Sequence, residues 1–262
     1  PGDSRRYRDW ILRIRGTGHA PEVDLHMALA ESCDVYFYDL ARRLTVDRMH
    51  DYLAPFGLGS RTGIDTTNER PGVLPSSDWK RRTLGQPWYP GETLSVGIGQ
   101  GYMLATPVQL AAATAAIANR GVFHVPQLVR RIGGETVAPA PARVIEAAPE
   151  TWDAVHEGMR AVVHGERGTA KLIARGLQYT MAGKTGTAQV IGIAQGEVYD
   201  EDEIAERHRN HGLFVAFAPL EAPTIAVAVI VENGGGSTAA SPIAREVIDA
   251  WLLRGGDSVP SG

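Results

Sequence analysis

Lys184-Thr185-Gly186-Thr187 sets an ammonium beside two hydroxyls on alternate residues. Read as a strand, this run presents one cation and two donors from a single face, a surface suited to a carboxylate. Gly186 between the hydroxyls lets a ligand backbone approach closely. The overlapping Gly183-Lys184-Thr185 invites a phosphate-loop reading, but that motif needs a glycine five positions earlier, where the chain has Gln178. Gly97-Ile98-Gly99-Gln100-Gly101 invites a dinucleotide fingerprint, yet its third glycine should fall where Tyr102 stands. The next helix opens only at Thr106, too late for its N-terminus to hold a pyrophosphate, so this segment reads as a structural turn. Ser77-Asp78-Trp79-Lys80 puts a serine and a lysine on one helical face, where the lysine could deprotonate the serine. Pro75-Ser76-Ser77-Asp78 is also an ordinary turn and capping sequence. His208 and His211 belong to the charged stretch from Glu201 to His211 and read as solvated loop residues.

Elements must place these groups. From Asp24 to Leu44 apolar residues recur at helical spacing (Leu25, Leu29, Val35, Tyr38, Leu40, Leu44), with Ser32-Cys33-Asp34 as a break. Serine and aspartate compete for backbone hydrogen bonds and prefer caps, which predicts two short helices meeting at 32–34 with Asp34 capping the second. Glycine, proline and polar clusters from Pro55 to Pro90 predict turns and loops. Thr106-Pro107 opens an Ala-rich helix that Asn119-Arg120-Gly121 ends. Residues 133–150 read as a solvent loop, Trp152 to Val163 as an amphipathic helix, and Thr169 as the cap of another. The last third changes period: Leu177–Ile193, Leu213–Ala218 and Thr224–Glu232 are rich in β-branched and aromatic residues and read as strands. Pro219-Leu220-Glu221-Ala222-Pro223 joins the second and third closely enough for an antiparallel pair, and Ser241-Pro242 opens a final helix to about Leu253. Helices, a strand meander and a closing helix predict an α+β fold, an antiparallel β-sheet flanked by helices.

Composition narrows the classes further. The 262 residues are 44% apolar, enough for a substantial core. Thirty acidic against 26 basic side chains give a net charge of −4, which argues against a nucleic-acid binder. The single cysteine excludes an intramolecular disulfide framework, and no run of about 18 apolar residues marks a membrane helix. Residues 255–262 read as a disordered tail.

Lys-Thr-Gly is one of three signatures of the penicillin-interacting serine enzymes, beside Ser-x-x-Lys and Ser-x-Asn. Ser32-Cys33-Asp34 resembles the middle signature, in the place that family puts it. The neighbourhoods Tyr7-Arg8-Asp9-Trp10, Val35-Tyr36-Phe37-Tyr38, Thr62-Gly63-Ile64-Asp65, Val96 to Tyr102, Ala105-Thr106-Pro107-Val108-Gln109, Ala182 to Gln189 and Phe214 to Pro219 resemble the penicillin-binding protein 2 family. These are the monofunctional, elongation-type peptidoglycan transpeptidases of Gram-negative bacteria. The resemblance runs through essentially the whole chain in the family's order. Two departures stand out. Asp34 replaces the asparagine that also occurs in the middle motif, keeping an acceptor and losing a donor pair. The family's Ser-x-x-Lys precedes the middle motif, whereas Ser77 to Lys80 follows it, which identifies that string as a cap and places the nucleophile before Pro1.

The resemblance implies a penicillin-binding transpeptidase or serine β-lactamase-like fold spanning residues 1–254 and truncated at its N-terminal side. It implies a D,D-transpeptidase in which Ser32 and Lys184 move a proton to the leaving amine and Asp34 orients the upstream lysine or the substrate amide. Thr185 and Thr187, with Gly186 between them, hold the terminal carboxylate, and the Thr187 N–H supplies half of the oxyanion hole. Substrate and inhibitor are the stem peptide ending in D-Ala-D-Ala and β-lactams. Partners are a membrane-embedded glycosyltransferase and elongation-complex proteins at the periplasmic face of the inner membrane, reached through an N-terminal anchoring helix. No cofactor serves catalysis. Asp9, His19 and Cys33 are a ligand mixture zinc accepts, and some members of the subfamily hold a structural zinc beside the middle motif; the alternative is a buried apolar cysteine and two exposed polar side chains. A β-lactam sensor or carboxypeptidase of the same fold, a non-catalytic binding module and a generic α+β domain remain as alternatives. The 262-residue stretch alone is expected to be inactive and poorly stable.

Overall fold

The computed structural model describes residues 22–190 and 205–254. Asp24 accepts a hydrogen bond from the Met27 N–H and opens α1 (Leu25–Glu31). Ser32 ends it in the left-handed conformation, with φ 54° and ψ 57°. The chain then turns directly into α2 (Asp34–Leu44). The break expected at 32–34 is present, but Asp34 is not the cap. Extended Cys33 holds that position without a side-chain capping hydrogen bond, and Asp34 is the first helical residue, where its charge complements the helix N-terminus. α3 (Val46–Leu53) follows after Thr45.

The stretch from Pro55 to Pro90 is not all turn and loop. Ser76 Oγ accepts from the Trp79 N–H and starts α4 (Ser77–Leu84), which Gly85 closes in the left-handed region. α5 (Pro90–Gly97) and α6 (Pro107–Ala118) both place proline at the first helical position, where its missing N–H costs nothing. Thr106 and Gln109 complete a reciprocal capping box on α6. The predicted solvent loop at 133–150 contributes one strand to each of two short ladders: β1 (Val122–Phe123), with Phe123 buried, pairs with exposed β4 (Arg143–Val144), and exposed β2 (Arg131–Ile132) pairs with exposed β3 (Glu135–Thr136). α7 (Pro149–His164) lengthens the helix expected from Trp152 by three residues at its start.

After α7, Thr169 caps nothing. The Ala170 N–H folds back to the Val162 carbonyl, and a short 3-10 turn spans Lys171–Ala174 with Ala170 at its cap. β5 (Ala182–Ala188), β6 (His211–Ala218) and β7 (Ile225–Val231) form an antiparallel sheet in that order. Lys184 lies opposite Val215, and Val215 opposite Ala228. β5 is shorter than the predicted strand 177–193; residues 191–193 lie outside the described residues. His211 is no solvated-loop residue: it begins β6 half-buried, and its Nδ1 accepts from the Asn233 N–H. The last helix, α8 (Ser237–Leu253), begins four residues before the predicted start and carries Pro242 inside. Fully buried Ala240 lies in that added turn, so packing on the sheet offsets the lost backbone donor.

Strand alternation divides the sheet between two cores. Phe214, Ala216 and Ala218 meet Ala240, Ala244 and Ile248 of α8 and Val162 and Val163 of α7. Ala182 and Phe217 meet Ala118 of α6 and Met159 of α7. Each fully buried Phe, Ile or Val among these contributes about 1.5–3 kcal/mol from removal from water. The sheet is therefore clamped between helices, with β5 as an edge among the described residues.

Candidate active site

Position 183 explains how β5 sits. A Cβ there would lie 2.6 Å from the Phe214 ring and 2.9 Å from the Val215 carbonyl oxygen, so only glycine lets the strand rest on that ring. The next residue, Lys184, brings the distant motif together. Its Nζ donates to Ser32 Oγ at 2.8 Å and to the Thr185 carbonyl at 3.0 Å, and lies 3.4 Å from Thr185 Oγ1. Burial pushes the Lys184 ammonium down to about 8, while the Asp34 carboxylate favours the charged form. Thr185 Oγ1 is 2.9 Å from Thr169 Oγ1. The two-residue break between α1 and α2 thus faces the edge strand across 152 positions of sequence.

Expected and observed orientations differ in one respect. Strict alternation puts Lys184 on the face opposite Thr185 and Thr187, so the three do not share a strand face. Lys184 still reaches Thr185, because its long stem carries Nζ to the Thr185 carbonyl on the open edge of β5. Thr187 is exposed, and Thr185 and Gly186 are half-buried.

Ser32 is held from behind. Buried Glu31, 3% exposed, pairs with Arg167 at 2.9 Å, and the Thr169 N–H donates to the Ala30 carbonyl at 3.1 Å. The loop after α7 therefore fastens the end of α1 and also delivers Thr169 to Thr185. At the other end of the strand pair, His164 Nε2 accepts the Met181 N–H at 3.1 Å. Burial, with Arg160 adding to it, pushes the His164 imidazolium down, which keeps that nitrogen an acceptor.

The edge of β5 follows a regular rule. In an antiparallel strand the N–H and C=O of one residue point the same way, and successive residues alternate between partner strand and open side. Met181, Thr185, Thr187 and Gln189 fall on the open side: His164 takes the Met181 N–H, Lys184 takes the Thr185 carbonyl, and Gln100 Nε2 donates to the Thr187 carbonyl. The Gln189 N–H donates to Gln100 Oε1 at 3.4 Å. The Thr187 N–H therefore points outward beside its own carbonyl.

From sequence, Gln100, Thr169 and His164 have no role at the site: Gln100 reads as part of a turn, Thr169 as a helix cap, and His164 is passed over. For Gln100 a signal existed. Flanking Gly99 and Gly101 take φ +76° and +70°, a doubled left-handed turn that throws the residue between them outward.

Ser77 and Lys80 are each bonded to other partners. Ser77 Oγ donates to Asp47 Oδ2 at 2.7 Å, and its N–H to Asp47 Oδ1 at 2.8 Å. Lys80 is fully buried, bonded to Glu92, with its Nζ 4.3 Å from the Tyr89 ring centre. Burial alone would raise the Glu92 carboxyl; hydrogen bonds from Lys80 and the Tyr89 N–H outweigh it and hold the group below the usual carboxylate range. Of the expected zinc ligands, Cys33 is buried, and Asp9 and His19 lie outside the described residues. No cluster of three potential metal ligands occurs among the described residues. A cleft of about 520 Å³ between α6, α7 and the β6–β7 turn, reaching Asp153, His156 and Glu221, holds none of the motif residues.

An antiparallel sheet clamped by helices, with Lys-Thr-Gly on its edge strand facing Ser-x-Asp at a helix junction, defines the class of penicillin-interacting serine enzymes. Residues 1–249 match the penicillin binding protein transpeptidase domain, and the chain belongs to that family. It is 46% identical over 258 residues to the peptidoglycan D,D-transpeptidase MrdA of Acinetobacter baumannii, covering 97% of this chain and 37% of that protein. The MrdA of Escherichia coli K12 is 38% identical over 258 residues, with 97% of this chain and 40% of that protein covered. The chain thus spans about two fifths of the length of these relatives. Among solved structures, Pseudomonas aeruginosa PBP2 in complex with WCK 5153 is similar at TM-score 0.81 and 45% identity, over 94% of this chain and 52% of that one. Helicobacter pylori PBP2 in complex with MreC follows the same fold at TM-score 0.79 and 32% identity, over 94% of this chain and 42% of that one.

Proposed function

We propose that this chain is the C-terminal part of a penicillin-binding protein 2-type peptidoglycan D,D-transpeptidase, and that its nucleophile lies outside these 262 residues. The observation that carries this reading is the 2.8 Å contact of Lys184 Nζ with Ser32 Oγ beside the open edge of β5. The chain holds one Ser-x-x-Lys string, and both of its side chains are committed elsewhere.

In this reading an upstream serine attacks the D-Ala-D-Ala carbonyl after passing its proton to the lysine of its own motif. The serine–carbonyl bond forms, the peptide C–N bond breaks, and the departing D-Ala amine takes a proton relayed through Ser32 Oγ and Lys184. An acceptor peptide's amine then attacks the ester, forming the cross-link and releasing the serine. The depressed Lys184 ammonium suits a relay, since it yields its proton more readily than an exposed lysine. Asp34 stabilises the charge on Lys184 and offers an acceptor to substrate or upstream lysine. Thr185 and Thr187 receive the terminal carboxylate, and the outward Thr187 N–H serves the oxyanion, where one such donor is worth roughly 10²–10³ in rate. β-Lactams stop at the acyl stage. The relative in complex with MreC supports a protein partner of that kind for the whole protein, and the relative in complex with WCK 5153 supports a small-molecule ligand. Its place is the periplasmic face of the inner membrane.

Labelling of the full-length protein by a fluorescent penicillin tests the assignment. Lys184→Ala is expected to lower the rate at least tenfold and Ser77→Ala to leave it within twofold. Labelling that survives Lys184→Ala and vanishes in Ser77→Ala would overturn it.

A further inference from the structure

The Gln100 carboxamide does to β5 what one residue of an added strand would do. It gives an N–H to the Thr187 carbonyl and receives the Gln189 N–H, the next outward donor along the edge. An exposed strand edge invites pairing, and side chains that occupy its backbone groups limit where a new strand can lie. His164 occupies the edge at Met181 and Gln100 occupies it at Thr187 and Gln189.

The backbone of Gln100 does not depend on these contacts. Its N–H donates to the Ser95 carbonyl at 2.9 Å, and Gly99 and Gly101 fix the turn on either side. Tyr102 next along reaches Glu92 Oε1 at 3.3 Å, which is itself held by fully buried Lys80. Beyond this anchored turn, the side chain is an arm with three rotatable bonds laid across the strand.

We propose that Gln100 is a positioning residue that stands in for a peptide group on the edge of β5 and yields the Thr187 carbonyl to the acylamido N–H of an incoming acyl donor. The inference rests on the transpeptidase reading. If the reacting carbonyl sits at the Thr187 N–H, the donor's adjacent amide falls at the Thr187 carbonyl, because both groups point outward from one residue. That oxygen is the one Gln100 holds. Gln100 therefore keeps the edge in register while the site is vacant and competes only with ligands carrying an amide at that place. Its favoured substrate class is an N-acylated amino acid or an acylamido β-lactam, in contrast to a ligand that offers no such N–H.

The test uses the full-length protein containing this chain and two probes, benzylpenicillin, which carries an acylamido group, and penicillanic acid, which lacks it. The second-order acylation rate constant is measured for each by competition with a fluorescent penicillin, and their ratio is compared between wild type, Gln100→Ala and Gln100→Glu. A ratio taken within one variant is independent of the fraction folded. Loss of one competing hydrogen bond is expected to raise the ratio about three- to tenfold in both variants. A ratio within twofold of wild type in both, with the two rate constants falling together, would make Gln100 a brace of the strand and overturn the proposal. Failure of benzylpenicillin to acylate even the wild-type protein would overturn the transpeptidase reading itself and this inference with it.

Discussion

Lys184 carries a charge into a site that does not favour it. Burial brings its ammonium down to about 8, with Asp34 opposing part of that shift. A folded-state value below the unfolded one means the protonated lysine costs stability at neutral pH. That cost is relieved as pH rises from about 8 to the unfolded value of 10.5. Lys184→Met keeps the stem and removes the charge. The variant is expected to melt at or above the wild-type temperature at pH 7 while losing penicillin acylation, and its advantage should shrink between pH 8 and pH 10.5. Thermal melts of both proteins across that range check the sign. A lower melting temperature at pH 7 would mean the ammonium stabilises the fold, contrary to a strained catalytic placement.

Among the elements, α6 and the loop between α3 and α4 depend on one amide. Gln109 is fully buried, and its Nε2 faces three carbonyls, Gly57 at 3.1 Å, Ser60 at 2.7 Å and Pro71 at 2.8 Å. Its Oε1 accepts the Thr106 N–H at 2.8 Å. Gln109→Leu matches the volume and strands these four groups, so denaturant unfolding of the full-length protein should show a loss of about 4 kcal/mol or more, at about 1–3 kcal/mol per orphaned group. A loss under 1 kcal/mol would mean the loop re-satisfies its carbonyls with water. Elements of this kind also mark what could be read from sequence. The α6 cap, the three strands and the break at Ser32-Cys33-Asp34 follow from local rules of period and capping. The start of α8 did not, because Pro242 signals a helix start and only the packing of Ala240 on the sheet overrides it. The motif residues Lys184, Thr185 and Ser32 could be named because they form short strings. Thr169 and His164 act from ordinary positions, and long-range register alone brings them to β5.

At the scale of the molecule, the outer face of α8 is unfinished. Ile243, Val247 and Trp251 recur every four residues and are 47%, 45% and 52% exposed, an apolar stripe of the kind that usually packs against another element. The isolated 262-residue chain is therefore expected to unfold at a lower temperature than the same domain within the full-length protein, as scanning calorimetry would show; equal, cooperative transitions would contradict this. In the proposed reading the site has the same character, with a relay, a carboxylate-binding edge and one oxyanion donor in this chain and the attacking serine assigned elsewhere. Peptide-level mass spectrometry of the full-length protein after brief exposure to benzylpenicillin locates that serine directly. The expected result is a penicilloyl adduct on a Ser-x-x-Lys serine outside these 262 residues, with Ser32 and Ser77 unmodified. An adduct on Ser77, or on any other serine of this chain, would contradict it.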